Sequence, residues 1–106
     1  MIDDRAAIAQ LLQASKTGAK HVLSHYLYFP KMHGATGTAA DLRLLGFRTE
    51  ERLSADGTNW LVIARHEIVP SDGLISTTRK LMENLTRSCN GEYDGWEAEV
   101  QDHRVQ

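Results

Sequence analysis

The alternation of hydrophobic and polar positions predicts four strands along this chain. Residues 20–29 are rich in aromatic and β-branched side chains and end at Pro30, and residues 59–69 show the strongest strand pattern. Residues 47–54 alternate apolar with charged side chains, as edge strands do, and residues 92–100 form the last predicted strand. Because both faces of the first and third predicted strands are largely apolar, we expect these two strands to be central in one sheet.

Apolar residues at helical spacing predict a helix at the amino terminus and a short helix after the first strand. Residues 4–17 form the first of these helices. Residues 30–37 contain a proline and two glycines and are typical of a loop, after which Thr36 or Thr38 can cap the second helix. Gly46 is expected to end it. Three of its apolar residues are expected to point inward, namely Ala39, Leu42 and Leu45.

A third, longer helix is predicted between the last two strands. Ser71 is its expected N-cap, and Asn90-Gly91 is expected to close it. Glu83 stands four residues from both Arg79 and Arg87, so we expect a solvated, salt-paired outer face. The predicted apolar stripe consists of Leu74, Thr78, Leu81, Met82, Leu85 and Cys89.

The order β-α-β-β-α-β after the first helix predicts an α+β, ferredoxin-like fold. Right-handed crossovers place both later helices on one face of an antiparallel sheet. The other face is then open to the N-terminal helix or to a partner, which includes a second copy of the chain. We expect a single domain, divided into an N-terminal helix (1–19), a core (20–101) and a tail (102–106).

Composition and charge restrict the class of protein. The chain has 106 residues and a formal net charge of −2, so no basic excess is present for direct binding to nucleic acid. Cys89 is the only cysteine, and the amino terminus lacks the profile of a signal peptide. The longest apolar run, residues 60–64, is far shorter than the ~20 residues of a membrane span. We therefore expect a soluble, cytoplasmic protein.

The histidines do not form a recognisable metal or catalytic motif. His21 and His25 share a strand face but lie about 13 Å apart at ~3.3 Å per residue, which is too far for one ion. His66 is interpreted as a histidine at the core edge with one hydrogen bond. Pairing of the first and last strands would bring His25 near Trp96 and Asp94, where a carboxylate can orient an imidazole. In the absence of a matching nucleophile or acid, we predict no catalytic residue, no metal and no cofactor.

The segment Asp94-Gly95-Trp96 is the most informative in the chain. A glycine inside a strand indicates a β-bulge or a close approach of backbone. The neighbouring tryptophan is either a core anchor or an exposed interaction residue. Cys89, by contrast, is interpreted as a small core residue.

Two segments resemble the regulator of ribonuclease activity B family (RraB, ribonuclease E inhibitors). They are Asn90-Gly91-Glu92-Tyr93-Asp94-Gly95-Trp96-Glu97 and His25-Tyr26-Leu27-Tyr28-Phe29-Pro30, with a Leu45-Gly46-Phe47 turn between them. The resemblance covers residues 20–100. It implies a ferredoxin-like α+β fold and a non-enzymatic protein that binds a ribonuclease E-type endoribonuclease and restrains its RNA cleavage. The partner-binding residues carried over by motif are His25, Tyr93, Asp94, Gly95 and Trp96.

One departure from that family concerns charge, and it keeps a second hypothesis open. The members that it resembles are strongly acidic with an acidic tail, which would steer them towards a basic partner, whereas this chain ends His103-Arg104-Val105-Gln106. The alternative is a homodimeric, ferredoxin-like protein that binds a small ligand, or an enzyme, on its open sheet face. That face would be lined by Tyr26, Tyr28, Leu61 and Ile63.

Overall fold

Strands and helices follow one another in the order β-α-β-β-α-β within residues 19–99, the part of the chain that the computed structural model describes. The elements are β1 (His21–Phe29), α1 (Met32–Leu44), β2 (Arg48–Leu53), β3 (Trp60–Ile68), α2 (Asp72–Arg87) and β4 (Glu92–Ala98). The predicted helix over residues 4–17 and the tail over residues 102–106 lie outside the described residues. Neither described helix is long and apolar enough to cross a membrane.

The four strands form one antiparallel sheet in the order β2-β3-β1-β4. The prediction that the first and third strands are central is confirmed, and so is the prediction that the charged strand β2 lies at an edge. In the β1–β3 pair, His25 is opposite Ala64 and Leu27 is opposite Val62. These four side chains therefore point to the same face of the sheet.

Both helices pack against this face, which carries the apolar core. The largest cluster joins Leu27 and Val62 of the sheet to Leu42 of α1 and Met82 of α2. A smaller cluster pairs Leu23 with Ile75, and the half-buried Trp96 packs against it. The α+β class, with two helices over a four-stranded antiparallel sheet, is thus confirmed.

Helix α1 differs from its prediction at its start and in the burial of Leu45, whereas its end agrees with the prediction. It begins at Met32 instead of after a loop that extends to residue 37, and its N-cap, Lys31, makes no side-chain cap. Gly34 lies buried inside the helix, where an added Cβ would sit 3.2 Å from Cβ of Cys89, so a small residue is needed for this close packing. Leu45 is 58% exposed instead of inward, because the helix has already ended. Gly46 follows with φ of +99°, as expected of a terminating glycine.

Helix α2 begins as predicted, and its predicted stripe is confirmed in part, because Thr78 and Met82 are buried and Leu85 and Cys89 pack against the core. The Leu74 N–H donates to the Ser71 hydroxyl at 3.1 Å, which confirms the cap. Leu74 itself is 40% exposed, whereas Ile75 is buried. Thr86, which was not predicted, is also buried, because its hydroxyl donates to the Met82 carbonyl at 3.0 Å and needs no outside partner. The buried residues of the helix are Ile75, Thr78, Met82 and Thr86.

The turn between α2 and β4 brings two segments of backbone into close contact. Asn90 adopts a left-handed conformation with φ of 56°, consistent with its predicted place at the helix end. A Cβ added to Gly91 would sit 2.5 Å from the Tyr28 carbonyl oxygen and 2.8 Å from the Phe29 ring. Only a residue without a side chain fits here.

We expect Gly91→Ala to lower the free energy of unfolding by about 1–3 kcal/mol, the usual cost of overpacking a core. Gly37→Ala is the matched control, because nothing lies within 4 Å of its added Cβ in α1, and it should be neutral or stabilise by about 0.5–1 kcal/mol. Urea denaturation midpoints measure both changes. Equal midpoints for the two variants would contradict the close approach at Gly91.

Candidate functional site

The centre of the candidate site is a β-bulge in strand β4. His25 of β1 pairs with Trp96, and Leu27 pairs with Tyr93, so three steps along β4 match two along β1. Gly95 has φ of +99°, a conformation that favours glycine. The prediction of a bulge at this glycine is therefore confirmed. The bulge lies in an edge strand, since β4 pairs only with β1 among the described strands.

Three polar side chains form a hydrogen-bonded row beneath this bulge. The Tyr93 hydroxyl lies 2.8 Å from Nδ1 of His25. Nε2 of His25 lies 2.9 Å from Nε2 of His66 on β3. Both ring nitrogens of His25 are thus engaged, and its side chain is only 1% exposed. A buried imidazole requires such partners, because an unpaired polar group in a core is costly.

An aromatic ring and a cation pack around this row. The Phe47 ring lies 4.6 Å from the His66 ring and contacts the His25 ring edge-on at 6.2 Å. On the other side, the Arg79 guanidinium stands 5.4 Å from the centre of the Tyr93 ring, a cation–π geometry. Arg79 also forms the predicted ion pair with Glu83, at 3.5 Å. Burial lowers the pKa of His66 from its ordinary value, because a charged imidazole is poorly solvated there.

The residues predicted by motif occupy different depths of this site. His25 is buried, Tyr93, Gly95 and Trp96 are half-buried, and Asp94 is exposed. The predicted approach of His25 to Trp96 is confirmed by their pairing. The ring nitrogens of His25 face Tyr93 and His66 instead of the expected carboxylate of Asp94.

Three further residues complete the site and were absent from the predicted set. His66 was interpreted as a core-edge histidine with one hydrogen bond, and that interpretation is confirmed, but its partner was not foreseen. The sequence contained part of the signal for this contact, because His25 and His66 each lie on an apolar face of the first and third predicted strands. Phe47 and Arg79 reach the site from a turn and a helix, and no local pattern places them there. Within residues 19–99, no group of three or more His, Cys, Asp or Glu side chains could hold a metal ion.

Four carboxylates line the edge strand and the residue after it. All are exposed, and residues 92–99 contain no Lys or Arg. They are Glu92, Asp94, Glu97 and Glu99. Residues 92–99 thus carry an acidic strip of four carboxylates beside the bulge although the whole chain has a net charge of only −2, and one of the four, Glu99, is paired with Arg65 of β3.

The sheet face opposite the helices carries the four residues that the second hypothesis named. Leu61 and Ile63 are buried there, and Tyr26 and Tyr28 are half-buried. Arg65 extends over this face and pairs with Glu50 at 3.3 Å and with Glu99 at 3.4 Å. Burial, with a smaller contribution from Glu97, raises the pKa of Tyr26. The face thus presents tyrosines and ion pairs above its apolar residues.

Comparison with known proteins shows the family of this chain. A family model described as regulator of ribonuclease activity B matches residues 1–98, which includes every residue of the bulge and of the hydrogen-bonded row. No match was found among curated proteins. The resemblance inferred from the Tyr93-to-Trp96 motif is therefore confirmed over nearly the whole sequence. The chain belongs to the RraB family.

Proposed function

We propose that this protein is a non-enzymatic, cytoplasmic regulator that binds a ribonuclease E-type endoribonuclease and restrains its cleavage of RNA. The observation that carries the proposal is the family match over residues 1–98, because the family is named for regulating ribonuclease activity. The site itself fits a binding role. Its histidines hydrogen-bond to each other and to a tyrosine, an arrangement that holds side chains in place and lacks the nucleophile of a catalytic group.

The docking surface that we propose is the bulged edge of β4, defined by Tyr93, Asp94, Gly95 and Trp96. An edge strand leaves one row of backbone N–H and C=O groups outside the sheet, where a partner can reach them. Asp94 is exposed, and the half-buried Trp96 offers the large, rigid area typical of binding hot spots. His25 is enclosed, so its part in binding is to hold Tyr93 in place instead of touching the partner.

The acidic strip beside this surface supports a basic partner. Like charges concentrated on one edge create a local field that the small net charge of the chain does not reveal. Such a field steers a basic protein surface to its contact and sets its orientation. The family members that this chain resembles carry an acidic tail, and here the carboxylates of residues 92–99 supply local acidity.

We also propose that the fold is of the ferredoxin-like type. The strand order β2-β3-β1-β4 and the alternation of strands and helices support this assignment. The family resemblance implies the same architecture. An N-terminal helix before β1 remains part of the proposal.

Asp94→Lys and Trp96→Ala should each weaken inhibition of a purified ribonuclease E-type endoribonuclease. We expect a rise of about thirtyfold in the concentration needed for half-inhibition, since hot-spot truncations cost about 2 kcal/mol or more. Cleavage of a labelled RNA measures this. Asp94→Lys is the sharper variant, because Asp94 is exposed whereas Trp96 also packs against Leu23 and Ile75.

Leu44→Ala is the matched control for these variants, because Leu44 is highly exposed and lies on α1. It should inhibit as the wild type does. Absence of any inhibition by the wild type would refute the proposed function. If the wild type and the three variants inhibit equally, the proposed function stands and the proposed docking surface is refuted.

Neutralising the acidic strip should slow association with the nuclease and reduce its dependence on salt. The double variant Glu92→Gln, Asp94→Asn removes two charges from the strip, and the double variant Asp41→Asn, Glu67→Gln removes two exposed charges elsewhere. Charges at the edge of an interface act mainly on the association rate. Association rates measured by stopped flow at low and at physiological salt therefore distinguish the two double variants. Identical rates for both double variants would contradict a steering role for the strip.

A further inference from the structure

The row His66–His25–Tyr93 links three neighbouring strands through side chains alone. It runs from β3 through the central strand β1 to the bulge in β4. Each contact is short, at 2.9 Å and 2.8 Å. Tyr93 is hydrogen-bonded to His25, and His25 is hydrogen-bonded in turn to His66. The contact of Tyr93 therefore depends on the protonation of both imidazoles.

The number of protons decides which bonds this row can make. In the neutral state each imidazole carries one N–H, and the 2.9 Å contact requires a hydrogen on one Nε2 and a lone pair on the other. If Tyr93 donates to Nδ1 of His25, then Nε2 of His25 must donate to His66. The reverse direction is equally allowed, so the neutral row has two proton arrangements.

One added proton leaves the row with only one direction of hydrogen bonding to Tyr93. If His66 takes it, Nε2 of His66 donates to Nε2 of His25, and the hydrogen of His25 must lie on Nδ1. If His25 takes it, both of its nitrogens carry hydrogen. In either case Nδ1 of His25 donates to the Tyr93 oxygen. A second proton leaves a hydrogen on both Nε2 atoms, and two positive rings cannot remain 2.9 Å apart.

The charged groups around the row oppose a second positive charge. On α2, Arg79 stands over the Tyr93 ring and pairs with Glu83. On β2, Glu51 points to the same sheet side, where it accepts from Thr36 and pairs with Arg43 of α1. On β1, His21 lies on this face, and from the β2 turn the apolar Phe47 covers both rings. The carboxylates of Glu83 and Glu51 are thus already paired with arginines.

We propose that His25 and His66 are proton-coupled positioning residues, which hold Tyr93 and the β4 bulge near neutral pH and release them as both rings become charged. The effect on the partner rests on the proposed function, because it assumes that the bulge is the docking surface. The release of Tyr93 does not rest on it. The experiments below separate the two.

The direction of the pH effect follows from burial. The pKa of His66 in the folded protein lies below its ordinary value of 6.5. Protons therefore bind more strongly to the unfolded chain, and the stability that this group contributes is present above pH 6.5 and is lost as the pH falls towards the folded pKa. The bulge should accordingly loosen on the acid side of neutrality.

The first experiment uses the protein without a partner. The ring nitrogens of all histidines are titrated by nuclear magnetic resonance, and Trp96 fluorescence is followed in a Trp60→Phe background. We expect the His66 ring to titrate below its ordinary pKa, with changes in the His25 ring signals and in Trp96 fluorescence over the same pH range. His25 signals or Trp96 fluorescence that stay constant while His66 titrates would overturn the proposal.

Variants sharpen this test. His66→Gln keeps a donor or an acceptor for His25 but cannot become charged, so the fluorescence change should disappear. His33→Gln removes an exposed histidine of α1 and should leave the change intact. If His66→Gln does not fold, as judged by circular dichroism, the wild-type titration decides alone. A fluorescence change that persists in folded His66→Gln overturns the proposal.

The second experiment measures affinity for a ribonuclease E-type endoribonuclease against pH. Wild-type affinity should fall by up to about a hundredfold per pH unit below the transition, because release requires two protons, and His66→Gln should show a smaller fall. Equal pH profiles for the two proteins overturn the link between the row and binding. If the wild type does not bind at any pH, the proposed function fails, and the partner-free titration still decides whether the row positions Tyr93.

Discussion

The structure depends on how the central strand β1 accommodates a histidine in an otherwise apolar core. His25 is as enclosed as the leucines on either side of it, and an imidazole at such a position must find hydrogen-bond partners within the protein. The neighbouring strands supply them, His66 from β3 and Tyr93 from β4. This requirement fixes which residues of the two strands face each other across β1, in addition to the backbone pairing.

The same requirement connects the core to the edge of the sheet. The bulge at Gly95 changes the register of β4, so that Tyr93 reaches His25 although Trp96 is its backbone neighbour. Trp96 then covers the smaller apolar cluster, and Asp94 remains in solvent. The Tyr93–Trp96 motif, which resembles a binding signature, therefore also connects strand β4 to the core. Its residues cannot be divided cleanly into those that fold the protein and those that meet a partner.

The location of the charged side chains says more about this protein than its net charge does. The two faces of the sheet differ, because one packs against the helices and the other carries Tyr26, Tyr28 and the ion pairs of Arg65. The carboxylates after residue 91 gather at the remaining edge. An almost neutral chain thus presents a distinctly acidic border, which matters at the distances of about 8–10 Å over which charges act in physiological salt.

The sequence by itself determined the strands, the central position of β1 and β3, the bulge, the cap at Ser71 and the family, because periodicity, glycine and local motifs act over a few residues. It misplaced the start of α1 and part of the buried stripe of α2. Gly34 packs tightly inside α1 where a loop was expected, and in α2 Ile75 and Thr86 are buried whereas the expected Leu74 is exposed. Only the tertiary structure joined His66, Phe47 and Arg79 to the predicted residues. Contacts between residues far apart in the chain depend on register and helix placement, which no local pattern encodes.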